Sequence, residues 1–144
     1  MKKLILSMGI LFLGAVAANA QTPAASAEMT FQKEVHDYGD IKQGGNGDCA
    51  FKFTNTGTAP LIISDAKGSC GCTVPEWPKA PIKPGESAEI KVHYDSKRVG
   101  PINKTVTVTA NIEGGTKVIR IKGNVQAAPV DGAPVNTNGG PKVD

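Results

Sequence analysis

Apolar and polar residues alternate with a period of two along much of the chain between positions 49 and 125, the spacing of strands with one buried face. Cys49, Phe51 and Phe53 share one face of a predicted strand, and Ala50, Lys52 and Thr54 share the other. From Ser87 to Tyr94 the residues Ala88, Ile90, Val92 and Tyr94 point in, with Glu89, Lys91 and His93 out. The longest predicted strand runs from Ile102 to Ile112, where Val106, Val108, Ala110 and Ile112 alternate with Thr105, Thr107, Thr109 and Asn111. Glu113-Gly114-Gly115-Thr116 is a hairpin signal leading into a last strand with Ile119, Ile121 and Val125 inward and Arg120 and Lys122 outward. Two shorter strands are predicted at Met29–Val35, anchored by Phe31 and Val35, and at Leu61-Ile62-Ile63.

Between these strands the chain is punctuated by turn residues. His36 to Ile41 is expected to bend around Gly39, Gly44-Gly45-Asn46-Gly47 is a dense turn signal, and Asn55-Thr56-Gly57 closes the Phe51 strand. Pro75, Pro78 and Pro81 exclude a helix and a central strand from Thr73 to Lys83, so the chain crosses there in extended form. Pro84-Gly85 fits the centre of a type II turn. Short strands with turns at intervals of about ten residues predict an all-β fold, an Ig-like β-sandwich of about seven antiparallel strands. Aromatic residues are scarce, so its core must be built mainly from Val, Ile, Leu and Phe.

The ends read differently. Met1-Lys2-Lys3, an apolar run from Leu4 to Ala18, and Ala18-Asn19-Ala20 form an export signal over residues 1–20. The run is shorter than the roughly 20 residues that span a bilayer, so cleavage rather than membrane insertion is expected. Residues 21–27 form a flexible lead-in, residues 28–126 the sandwich, and residues 127–144 a disordered tail rich in Pro, Gly and Asn. Of 16 basic residues Lys2 and Lys3 fall in the leader, leaving 14 against 13 acidic ones. That balance provides no basic stripe for nucleic acid or an anionic membrane.

Several stretches together resemble one family. His36-Asp37-Tyr38-Gly39-Asp40-Ile41-Lys42-Gln43-Gly44 looks like an H-D-F-G-x-I-x-x-G opening, with Tyr38 where phenylalanine is more usual. Phe51 to Ile63 resembles an F-x-F-x-N-x-G-x-x-P-L-x-I core, and Pro84-Gly85-Glu86 with Ile90-Lys91-Val92 a P-G-E-x-x-x-I-x-V segment. Ser69-Cys70-Gly71-Cys72-Thr73 is the most recognisable element. The chain resembles, over about Phe31 to Val125, exported bacterial proteins that carry a domain of unknown function related to major sperm protein and Hydin-like domains. The resemblance implies fold and export, and brings no activity, substrate or cofactor; Cys49 lies outside its pattern.

Cys70 and Cys72 are the candidate thiol or disulfide site. In an oxidising compartment they can pair, with Gly71 supplying the backbone freedom for the bend. The small ring is strained, which favours a labile bond over a staple. Reduced, the pair can hold Cu(I) or two of the four positions around zinc. The plainer reading is that the two cysteines fix their own loop. Cys49, on the face of Phe51 and Phe53, is expected to be a core residue, with a bridge to Cys70 or Cys72 as the alternative; three cysteines leave one unpaired in a monomer. Trp77 is expected to cap the core, the alternative being an exposed binding platform. No carboxylate pair, nucleophile motif or phosphate loop is present in the sequence. The expected function is that of a non-enzymatic, cofactor-free module exported to the periplasm or the medium, working through an unidentified protein partner or as an envelope structural part. The alternative is a thiol redox or copper protein using Cys70 and Cys72.

Overall fold

The computed structural model describes residues 24–129, so the expected export signal and nearly all of the expected tail lie outside the described residues. Eight strands are present: β1 (Met29–Phe31), β2 (Val35–Lys42), β3 (Asp48–Asn55), β4 (Ile63–Gly68), β5 (Thr73–Glu76), β6 (Ser87–Tyr94), β7 (Gly100–Ala110) and β8 (Thr116–Gln126). They form two four-stranded sheets, ordered β1-β3-β6-β5 and β2-β8-β7-β4. The all-β sandwich read from the alternation is the fold. Phe51, Phe53, Ile90 and Val92 of one sheet meet Val106, Val108, Ile119 and Ile121 of the other, each at most 1 % exposed. The core is aliphatic with a few Phe, as the composition requires.

One pairing departs from the antiparallel expectation. β2 runs parallel to β8, and residues 36–41, expected to bend, are its middle. The register shifts between Asp37 and Asp40, where Gly39 takes φ 61°. That bulge moves the inward phase by one residue, so His36 and Tyr38 precede it and Ile41 follows it, and simple alternation is lost. β4 hides in the same way: pairing begins at Ile63 and runs to Gly68, with a shift between Ile63 and Asp65. Its inward residues, Ile63 and Ala66, are therefore three apart, while Leu61 instead forms an isolated bridge to Ile82. β5 lies within the proline-rich crossing, and as an edge strand it accommodates Pro75. The Pro84-Gly85 turn is closed by Glu86 N–H donating to Lys83 O at 3.0 Å.

The end of β3 is tied by a side chain. Asn55 is fully buried; its amide donates to Ala59 O at 2.8 Å and Ile82 O at 2.9 Å, and its carbonyl accepts from Gly57 N–H at 3.0 Å. The resemblance motif around it thus joins β3, the following loop and the segment before β6.

Candidate functional site at the cysteine corner

β4 belongs to one sheet and β5 to the other, and the four residues from Ser69 to Cys72 carry the chain across. The corner is anchored at both ends. Ser69 N–H donates to Thr105 O at 2.8 Å, and Asp95 N–H donates to Cys72 O at 2.9 Å. Within it Thr73 N–H donates to Cys70 O at 3.2 Å. Cys70 and Cys72 are joined in a disulfide with their Cα atoms 5.2 Å apart. Thr73 is buried, and its hydroxyl lies 3.5 Å from Cys70 Sγ and 3.9 Å from Cys72 Sγ.

The role expected of Gly71 falls elsewhere. Gly71 is not among the glycines with positive φ, and a Cβ there would meet no atom within 4 Å. Gly68 is the constrained position, because a Cβ on it would overlap the backbone carbonyl of Thr73. The close approach of the end of β4 to the start of β5 needs a glycine, whereas the bend between the sulfurs does not. A shallow groove of about 390 Å³ opens beside the corner, with Lys67, Ser69, Cys70, Gly71, Val74 and Pro75 on its walls.

Cys49 is unpaired and half-buried on β3, packed against the core; the alternative bridge to the corner is not formed. Tyr38 from β2 donates its hydroxyl to Gly47 O at 2.7 Å and reaches Cys49 Sγ at 3.3 Å. Burial pushes both the Cys49 thiol and the Tyr38 phenol up from their ordinary ranges. The thiolate is the reactive form, so native Cys49 is expected to react slowly with a disulfide reagent, and its rate should still climb above the pH where an open thiol levels off. Thiol counting before and after unfolding in denaturant checks this. One slow thiol natively and one fast thiol unfolded is the expected result, and a fast native thiol contradicts it. Cys49 and Cys72 sit on opposite sides of β6, two strand spacings or about 10 Å apart at least.

The histidines do not join the corner. His36 packs edge-on against Tyr38, ring centroids 4.6 Å apart, and burial lowers its pKa, with the Lys33 charge adding to the effect. His93 Nδ1 lies 2.6 Å from Asp48 Oδ1 on the outer face of the other sheet. Among the described residues no three His, Cys, Asp or Glu side chains gather as a metal site would require. Trp77 caps the core as expected, with the Lys79 ammonium 3.2 Å from its ring centroid.

The four sheet edges are poor docking strands. β1 has three residues, β2 and β4 are bulged, and β5 has four residues including a proline. A broader feature lies on the outer face of β3, β6 and β5. There a groove of about 720 Å³ is bordered by Asp48, Ala50, Val74, Glu76, Lys91 and His93. Val74, 52 % exposed, borders this groove and the cysteine groove alike. From the sequence Thr73 is legible only as the last residue of the cysteine motif and Val74 has no assigned role, because a proline-rich extended segment shows no alternation from which its buried side can be read.

The fold and its disulfide corner define a small β-sandwich domain with a sheet-switching cysteine turn. Residues 29–125 match the family described as protein of unknown function (DUF1573), and the chain belongs to that family. Among solved structures it is similar to a protein of unknown function from Porphyromonas gingivalis W83, with 19 % identity and TM-score 0.62 over 75 % of this chain and 51 % of that one. It thus spans about half the length of that protein. It also resembles PapD-like domain 7 of human CEP192, at 8 % identity and TM-score 0.55, covering 83 % of this chain and 99 % of that one. The Vibrio cholerae VesB protease matches at 18 % identity and TM-score 0.54, over 69 % of this chain and 32 % of the protease. These likenesses are of fold. Among curated proteins nothing matches the chain.

Proposed function

We propose that this chain is an exported, non-enzymatic module that acts by binding another protein through the outer face of β3, β6 and β5. The groove carries the reading: Val74, exposed on β5, and Ala50 on β3 place apolar surface on either side of Lys91 and His93 of β6, and Asp48 and Glu76 complete a concave face of mixed apolar and charged character. Blunted edges favour a face over strand addition. Export rests on the charged start, the apolar run and Ala18-Asn19-Ala20, with periplasm or medium as the destination. No helix of the described residues is long and apolar enough to cross a membrane. The likeness to VesB covers 32 % of the protease and brings no catalytic role here. Cross-linking in native cells followed by purification is expected to recover one reproducible partner, lost when Ala50→Arg fills the groove. Recovery of the monomer alone contradicts the reading.

A second reading is favoured by one observation, the disulfide whose Cys70 borders an open groove. On that reading the corner is redox-active, or binds Cu(I) through the two thiolates once reduced.

A further inference from the structure

Thr73 is a threonine with an unusual pair of partners. The residue is 3 % exposed, and the side-chain partners of its hydroxyl among the described residues are the two disulfide sulfurs, at 3.5 and 3.9 Å. Buried hydroxyls ordinarily find an oxygen acceptor, because sulfur in this setting accepts weakly. A thiolate accepts far more strongly, as ionised acceptors do. The hydroxyl therefore contributes little to the oxidised corner and more to the reduced one. The two sulfurs also differ in surroundings. Cys72 packs against the core, while Cys70 borders the groove together with Gly71 and Lys67. With no atom within 4 Å of a Cβ position on Gly71, the outer side of the loop is open.

We propose that the Cys70–Cys72 disulfide accepts electrons from a dithiol protein, with Cys70 the sulfur attacked, Cys72 the leaving group, and Thr73 the positioning residue that holds the departing thiolate. The inference rests on the redox reading above and is independent of the face contact. A partner thiolate enters the groove, drawn toward the Lys67 charge, and attacks Cys70 Sγ. The Sγ–Sγ bond breaks, its electron pair goes to Cys72 Sγ, and a mixed disulfide joins Cys70 to the partner. Once Cys70 is tied up in the mixed disulfide its sulfur accepts weakly, so the Thr73 hydroxyl, 3.5 Å from Cys70 Sγ and 3.9 Å from Cys72 Sγ in the disulfide, turns to the new Cys72 thiolate and donates to it. The partner's second thiolate then attacks its own sulfur in the mixed disulfide, and Cys70 leaves. In sum two electrons and two protons pass from the partner dithiol, which ends as a disulfide, to Cys70 and Cys72, which end as thiols. Cys49 cannot perform the second step, because β6 stands between it and the corner.

The test equilibrates the chain, with all three cysteines present, in glutathione redox buffers and counts reduced Cys70 and Cys72 by alkylation and mass spectrometry. Wild type is expected to pass through half-reduction within the glutathione range. Thr73→Val, which keeps the shape and removes the donor, is expected to shift the equilibrium constant about tenfold toward the disulfide, or about 30 mV for this two-electron couple. Thr73→Ser should restore it to within about twofold. The alkylation rate of the reduced protein against pH supplies a readout that a packing role would not move: one thiol should ionise below the ordinary thiol range in wild type and Thr73→Ser, but not in Thr73→Val. If wild type stays oxidised throughout, the redox reading and this inference fall together. If it is reduced normally but Thr73→Val matches it in both readouts, the redox reading stands and the role of Thr73 is overturned.

Discussion

Asn55→Ala is expected to cost about 3 kcal/mol. The truncation removes the donor to the Ala59 carbonyl and the acceptor of the Gly57 amide, and each buried group left unpaired costs about 1–3 kcal/mol; the Ile82 carbonyl loses one donor and keeps Leu61 N–H at 2.8 Å. Water relieves part of that sum, since Ala59 and Gly57 are only half-buried. Domains of this size have about 5–15 kcal/mol in total, so the loss is a large share. Asn55→Asp should do no better, because a carboxylate cannot donate to two carbonyls. Thr56→Ala, one residue along and exposed, should stay within about 0.5 kcal/mol. Urea unfolding midpoints of the three variants check this. An Asn55→Ala midpoint near wild type would show that the amide network is dispensable.

Gly68→Ala and Gly71→Ala should differ sharply, although both replace a glycine at the same cysteine corner. At position 68 the added methyl overlaps the Thr73 carbonyl, a backbone atom that cannot swing aside, so β4 and β5 must part at the sheet switch. Overpacking of this kind costs about 1–3 kcal/mol. At position 71 the methyl projects into open space from an ordinary φ, and the change should lie within about 0.5 kcal/mol, with a small gain from the stiffer unfolded chain. Thermal unfolding with the disulfide intact measures both. Equal effects would mean that the bend between the sulfurs, and not the approach of the strands, is what the glycines serve.

The sandwich was legible where strands keep strict alternation. β3, β6, β7 and β8 bury every second residue, and their inward sets, such as Ile90-Val92-Tyr94 and Ile119-Ile121, could be read directly. β2 and β4 escaped because each contains a bulge that shifts the phase, leaving few apolar residues on an edge strand. The parallel pairing of β2 with β8 carries no local signal at all. Asn55 was legible as a turn former, but its side-chain bonds to Ala59 and Ile82 depend on where distant backbone lies. The cysteine turn was visible as a motif. Its place as the bridge between two sheets, the constraint on Gly68 and the pairing of the Thr73 hydroxyl with sulfur are tertiary facts, set by which strands end side by side.

The contact face is tested most directly by placing a photo-cross-linking amino acid at Val74, and separately at Asn103 on the outer face of the opposite sheet, in native cells. One discrete protein adduct from position 74 and none from position 103 is the expected result. No adduct from either position, or the same adducts from both, would contradict a binding face on β3, β6 and β5.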